Sequence, residues 1–540
     1  MRSKLLLLYA CLLTILSGCY EDKGNYSYAD LPRYSVDRYS ISNGGRIIAT
    51  QGETITLEPV ILDANGDTIA GDIPGMEYSW SIDYKETIGH ERNLTYVCDK
   101  LLDNATLIFD MHELATDLHY TASASLDVGE KYSTPAFYVL SVKDGHTNLG
   151  LVRGSDIGQS TIDPADVDLY TETGLYYAEN GEYLPDNPIR IHEHFWNGGG
   201  GQALVVTPTE MVDVQSGTLL KEITGSEMID GGWPAGLRVA NVMYLQWIDL
   251  LEDEQGQIYT RLKSTDLLPN SEYFYPEPVK CNGEDEPLTD THIIVHKIGG
   301  SFCLLNDNKH KRILYVSDVK ADLSGAYSVG RITPLLHANW PEGFVPLDDY
   351  TGYNLVHCGY FDAYMNGGTG YTFLFIFEKE GEYTVQTCRI MQDGFHSSTL
   401  TVDEMNVLSY NADTGEHIAL LEGIMRPDSY VYTLPYTTQA SNPGTYTFIS
   451  SGNDLYMYDR TANTVKLYLS FDAPVTAMDG EWFNSNFMGL GLANGKFYLL
   501  PMQNAKNLKD GEKIIWQSGP DFGRIVYIRY KDAQGWNPPF

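Results

Sequence analysis

The feature that most constrains this chain is a plan that recurs after Asn148: an apolar run, a polar turn, a second strand-like run and often a tight turn before a third. Ala203–Leu220 (ALVVTPTEMVDVQSGTLL), Ile293–Leu305, Leu374–Cys388 (LFIFEKEGEYTVQTC), Tyr446–Tyr468 and Phe487–Leu500 (FMGLGLANGKFYLL) all follow it. A hairpin of this kind cannot bury both faces alone, so such units must stack on one another. Radial stacking gives a β-propeller-like domain, expected over 147–540, and about 390 residues at roughly 50 per blade give about seven blades. Neither a WD nor a kelch signature marks the repeat, and a pair of large sandwiches is the alternative.

Residues 33–143 have a different texture. Met76–Ile82 (MEYSWSI) alternates, with Tyr78, Trp80 and Ile82 on one side and Glu77, Ser79 and Ser81 on the other. Thr54–Leu62 begins with the same alternation, Tyr120–Val128 alternates with small residues, and Phe137–Val142 is expected to close the unit. About six short strands with regular turns in about 110 residues form the pattern of an immunoglobulin-like β-sandwich. Trp80 is expected between its two sheets. The best helix candidate is LLDNATLIFDMHELA (101–115), whose middle reads equally well as a strand. The fold class is therefore all-β throughout.

The first residues form an address. Arg2 and Lys4 precede an apolar run, Leu5–Leu16, too short for a bilayer span that needs roughly 20 residues. Leu16-Ser17-Gly18-Cys19 matches the bacterial lipobox. Residues 1–18 are thus expected to be a lipoprotein signal peptide, with Cys19 lipidated and 19–32 a tether. Two or more acyl chains hold a protein stably on a membrane where one does not. Glu21 and Asp22 resemble the acidic surface-export signal of Bacteroidota lipoproteins.

The opening CYEDKGNYSYADLP, the Thr-Leu strand, the Asn-Gly turn, YSW and the closing aromatic–Val strand together resemble the PKD-like family of Bacteroidota surface lipoproteins. The chain departs from the usual PKD pattern after the Trp strand, where WSIDYKETIG stands in place of a glycine-aspartate turn. The resemblance implies a PKD/Ig-like module followed by a larger β domain. It further implies an outer-membrane location facing the cell exterior, and work beside TonB-dependent nutrient importers of the SusC/SusD type. The larger domain would bind an oligosaccharide or peptide, or dock on the transporter.

Charge narrows the partners. The formal net charge is −36. Nucleic acid demands a basic face, so it is excluded as a partner, and direct attraction to anionic lipid is disfavoured. Cys98, Cys281, Cys303, Cys358 and Cys388 are far apart with no CxxC, which suits buried thiols, with one or two bridges as the alternative.

Catalytic motifs are missing. HExxH and GxSxG are absent. His192-Glu193-His194 would put two imidazoles on one face of a strand, but no third ligand stands nearby, and polar alternation within RIHEHFW explains it. Asp63-Ala-Asn-Gly-Asp67 lacks the glycine and glutamate a calcium loop requires and reads as an Asn-Gly turn. Asn197–Gln202 is glycine-rich without phosphate-loop spacing. Asp348-Asp349 and Glu284-Asp285-Glu286 read as solvated loop charges. No catalytic residue, metal or cofactor is implied. Trp196, Trp233, Trp340 and Trp482 stand in loop contexts as candidate ligand-stacking residues, with hydrophobic capping as the plain alternative. The expected function is a non-catalytic binding protein. The alternatives are a propeller-type glycoside hydrolase, lyase or peptidase, and an adhesion or scaffold protein.

Overall fold

The computed structural model describes residues 33–42, 45–158, 162–163, 165–194, 201–263, 272–294, 302–319, 328–364, 370–392, 399–411, 413–434, 446–480 and 486–531. Cys19, Glu21, Asp22, Trp196 and Trp482 lie outside them. The chain divides into two compact units, 1–131 and 132–540.

In the first unit a five-stranded sheet runs in the order Arg46–Thr50, Leu118–Gly129, Leu102–Glu113, Met76–Ile82, Glu86–Gly89. Only the pairing of Arg46–Thr50 with Leu118–Gly129 is parallel. A three-stranded sheet (Tyr34–Val36, Ile61–Asp63, Thr68–Ile69) and a pair (Thr54–Leu57, Leu94–Val97) complete it. One core takes Trp80, Phe109 and Leu126 from the large sheet with Ile55, Ile61 and Leu94 from the smaller ones. Trp80 is 0% exposed, as its alternating strand requires. Its indole N–H donates to the Glu91 carbonyl at 3.1 Å. The stretch 101–115 is not a helix: Leu102–Glu113 pairs on both edges, and β-pairing wins over a weak helical pattern. The Asp63–Asp67 segment is a hairpin turn. Asp63 Oδ1 accepts from the Asn65 and Asp67 N–H groups at 2.8 and 2.9 Å, and these bonds lower its pKa.

The strand expected to close this sandwich does not belong to it. Ala136–Lys143 pairs with His146–Arg153 on one edge and with Arg524–Lys531 on the other, inside the second unit. The boundary therefore falls at 131/132 rather than at 143.

The second unit is a succession of antiparallel sheets. The first holds Ala136–Lys143, His146–Arg153, Tyr170–Glu172 and the late strand Arg524–Lys531. The second runs through Arg190–His194, Gln202–Val206, Met211–Gln215 and Lys221–Thr224. The third is Val239–Tyr244, Ile248–Asp253 and Ile258–Leu262; the fourth is Thr291–Ile293, Phe302–Asp307, Arg312–Ser317 and Ile332–Pro334. The fifth is Asn354–Tyr364, Gly370–Lys379, Glu382–Gln392 and Leu400–Val407. Val431–Thr433, Tyr446–Ser451, Asp454–Asp459 and Thr464–Ser470 form the sixth. Val475–Gly480, Phe487–Leu492, Phe497–Pro501 and Trp516–Gln517 form the seventh.

The middle strands are apolar on both faces because both faces are covered. In Phe302–Asp307, Phe302 and Leu304 pack toward the fifth sheet, while Cys303 and Leu305 pack toward the third. The same division recurs throughout. One hydrophobic cluster joins each sheet to the next, first to second, second to third, and on to sixth to seventh. A further cluster joins the seventh back to the first, bringing Phe487 and Phe497 against Phe137, Ile525 and Ile528. Gly491 permits that last contact: a Cβ there would lie 2.6 Å from Ile525 Cγ2 and 2.9 Å from Ile528 Cδ1. The five described cysteines are buried free thiols.

Candidate functional site

Among the described residues of the second unit, two places besides the buried Asp249–Arg261–Lys263 set gather polar chemistry. The first is the row formed by the first strand of each sheet from the second onward, with Arg524–Lys531 taking that place in the first sheet. Side chains tie neighbouring members together. Arg190 donates to the Tyr527 hydroxyl at 3.3 Å and also bonds Asn241. The Tyr244 N–H donates to His192 Nε2 at 3.1 Å, and Asn241 donates to the Ile293 carbonyl at 3.2 Å. His357 Nε2 and Thr433 Oγ1 lie 2.9 Å apart. The Gly480 N–H donates to the Tyr432 hydroxyl at 2.7 Å, and the Tyr530 N–H donates to Asp479 at 2.7 Å.

The groups in this row are engaged with one another. Burial is the largest single influence on Arg529 and opposes its charge, but Asp479, Tyr527, Glu193 and Tyr360 together hold the guanidinium above its ordinary value. Burial alone pushes His357 down to about 4, so its ring is neutral near pH 7. His192 and His194 do share a strand face, with ring centroids 6.5 Å apart. One ring nitrogen of each is engaged: the Tyr244 N–H donates to His192 Nε2, and Asp213 lies 3.0 Å from His194 Nε2. Charged groups paired in this way fix strand positions.

The second place is an open cleft of about 220 Å³. It is built on the turn Lys143-Asp144-Gly145-His146. Asp144 and Gly145 both have positive φ, 52° and 86°, as a two-residue type I′ hairpin requires. Opposite the turn, the short helix Leu175–Asn180 buries Leu175 and Tyr176 in the cluster between the first and second sheets, which leaves Tyr177 facing out. Asn148 fixes the helix to the hairpin: its Oδ1 accepts the Gly174 N–H at 2.7 Å and its Nδ2 donates to Ser141 Oγ at 2.8 Å. Lys143 Nζ donates to Thr173 Oγ1 at 3.2 Å across the floor.

Three exposed rings stand together at this cleft. Tyr183 stacks on His146 at 4.1 Å (13°) and on Tyr177 at 4.5 Å (29°). Tyr177 is 48% and Tyr183 54% exposed, and neither hydroxyl has a hydrogen-bond partner among the described residues. Aromatic groups this exposed suit recognition better than packing. Among the described residues that line the cleft, Asp144 is the only carboxylate.

The two described candidate tryptophans, Trp233 and Trp340, sit elsewhere. Trp233 packs against the cluster between the second and third sheets and donates to the Leu237 carbonyl at 3.1 Å. Trp340 stacks on Phe344 at 5.4 Å and donates to Asp348 at 2.8 Å. Both are held as hydrophobic caps. Asp348 thus serves a tryptophan, and Glu284 pairs with Arg312 at 2.7 Å. Sequence reasoning missed the tyrosine cleft because it placed a domain boundary inside its hairpin. The signal available was Asp144-Gly145 between two apolar runs, which marks a hairpin rather than a linker.

A profile of the PKD-like family matches residues 19–188, which takes in the first unit and also the cleft. No curated protein matches the sequence. Among solved structures the chain is similar to Chaetomium thermophilum Raptor, at 9% identity and a TM-score of 0.32, over 62% of this chain and 25% of that one. It therefore spans a quarter of that relative's length. It is also similar to Citrobacter koseri AztD, at 8% identity and a TM-score of 0.33, over 85% of this chain and 99% of that one. Among the described residues no helix is long and apolar enough to cross a membrane.

Proposed function

We propose that the protein is a lipid-anchored outer-membrane surface protein of the Bacteroidota type that binds an oligosaccharide or peptide without transforming it. On this reading it assists TonB-dependent uptake of the SusC/SusD kind. Its second unit is a seven-bladed β-propeller, and its first unit is a PKD/Ig-like spacer. The propeller reading draws its support from the hydrophobic clusters that run from each sheet to the next and return to the first.

The observation that carries the binding reading is the Tyr177–Tyr183–His146 stack. Flat, exposed aromatic faces beside Lys143 and Asp144 offer apolar contact for a sugar ring or a peptide side chain and hydrogen bonds for its polar edge. Calorimetry with a panel of oligosaccharides and peptides tests it. We expect one ligand class to bind, and Tyr177→Ala with Tyr183→Ala to weaken it about tenfold or more, a loss near 1.4 kcal/mol. Equal binding by the double variant would reject the cleft as the site. Appearance of cleaved product would replace the binder by an enzyme. The membrane assignment has its own check: Cys19→Ala should move the protein from the membrane fraction to the soluble one.

A further inference from the structure

We propose that the first unit carries a binding site for a divalent transition-metal ion of the zinc class on the hairpin formed by Leu102–Glu113 and Leu118–Gly129. His112 and His119 are direct cross-strand partners in its register. Their imidazoles lie parallel, 2° apart in plane, with centroids separated by 4.2 Å. Asp117, in the turn between the strands, places Oδ1 2.9 Å from His112 Nε2. One ligand atom each from His112, Asp117 and His119 falls within a mutual distance of 4.8 Å. Two imidazoles and a carboxylate are the donor set of an open zinc site, with bonds of about 2.0–2.2 Å and the remaining position left to water.

The surroundings supply what such a site needs beyond three donors. His119 Nδ1 lies 2.8 Å from Asp110 Oδ2. A carboxylate on one ring nitrogen fixes the proton there and turns the other nitrogen's lone pair toward an ion, the usual arrangement behind a metal-bound histidine. Glu77, opposite His112 on the neighbouring strand, adds a third carboxylate 4.0 Å from His112 Nδ1. Asp110, Asp117 and Glu77 together give a locally negative surface around two stacked rings. A cation held at the ring edges by one nitrogen from each imidazole answers that field and relieves the contact of two imidazoles face to face. The donor atoms stand within 4.8 Å of one another, against the roughly 3.3–3.6 Å that bonds of about 2.0–2.2 Å to one tetrahedral ion impose, so binding requires the two parallel rings to tilt until their lone pairs converge. The side chains are reachable: His119 is half exposed and Asp117 almost fully so.

The chemistry predicts selectivity for borderline ions over hard ones. Imidazole nitrogen favours Zn²⁺, Ni²⁺ and Cu²⁺, whereas Ca²⁺ and Mg²⁺ need more oxygen ligands than this hairpin offers. The test is calorimetric titration of the full chain, freed of metal by a chelator, with ZnCl₂ and separately with CaCl₂. We expect one high-affinity Zn²⁺ per chain, no matching Ca²⁺ event, and at least a tenfold loss in His112→Gln and in His119→Gln. Asp110→Asn should weaken binding several-fold, while His310→Gln, on the fourth sheet's turn, should not alter it. Thermal unfolding of each metal-free variant checks that the fold is intact. A second readout is the visible spectrum of the Co²⁺-loaded protein, whose intense four-coordinate bands should vanish in the double variant. Absence of Zn²⁺ binding in the wild type, or undiminished binding in a folded His112→Gln, His119→Gln double variant, overturns the proposal.

Discussion

Asp318 follows the fourth sheet's strand Arg312–Ser317, and its carboxylate accepts the backbone N–H groups of Gln246, Trp247 and Ile248 at 2.9, 2.8 and 3.0 Å. One side chain thus satisfies a whole turn of the third sheet. Asp318→Ala leaves those buried donors without an acceptor, and we predict a loss of roughly 1–3 kcal/mol, read as a lower urea midpoint. Burial pushes the Asp318 carboxyl up to about 8, against the pull of the Trp247 N–H and of Lys263, with Asp249 adding to the rise. An acid whose folded pKa is raised binds more protons folded than unfolded between about pH 4 and about pH 8. Its contribution to stability is therefore present at low pH and is lost as pH rises through that window. We predict that Asp318→Asn flattens this part of the pH–stability curve, measured by urea unfolding at about pH 5 and about pH 8. A wild-type slope shared unchanged by the Asn variant would contradict it. Nothing in the local sequence YVSDVK distinguishes this aspartate from a solvated one, because its partners lie on another sheet. Trp80 is the opposite case: its alternating neighbours announce burial without any partner being known.

At the scale of elements, a strand with both faces covered reads as a continuous apolar run, and FCLLN, FLFIF and FMGLGL were legible for that reason. Strand ownership was not legible. Phe137–Val142 looks the same whether it closes a sandwich or pairs with residues at the far end of the chain. The glycines of FMGLGL also hid their purpose until Ile525 and Ile528 were seen against Gly491. We predict that Gly491→Val costs roughly 1–3 kcal/mol by forcing the seventh sheet away from Arg524–Lys531, seen as a lower melting temperature of the second unit. Ala at the same position should cost less, since it adds only the first of those atoms.

At the scale of the whole molecule, the first sheet depends on two segments that the sequence holds far apart. Phe137 faces Tyr530 and Val139 faces Ile528 across the same ladder. Truncation before Arg524 would strip that edge and open the cluster that joins the seventh sheet to the first. We predict that a chain ending at 523 loses the cooperative transition of the second unit in calorimetry while the first unit, with its self-contained core, keeps its own. A single shared transition lost as a whole would refute this independence.

The late strand also orders events during synthesis. Residues leave the ribosome from the amino end, so the core around Trp80 has all of its members available once residue 128 has emerged. The sheet that begins at Ala136 must wait with one edge bare until Lys531 arrives. Throughout that interval Ala136–Lys143 is an unclaimed template for any passing strand. A chain of this design is therefore expected to need an escort between translation and closure, and to be most prone to mispairing when its synthesis pauses late.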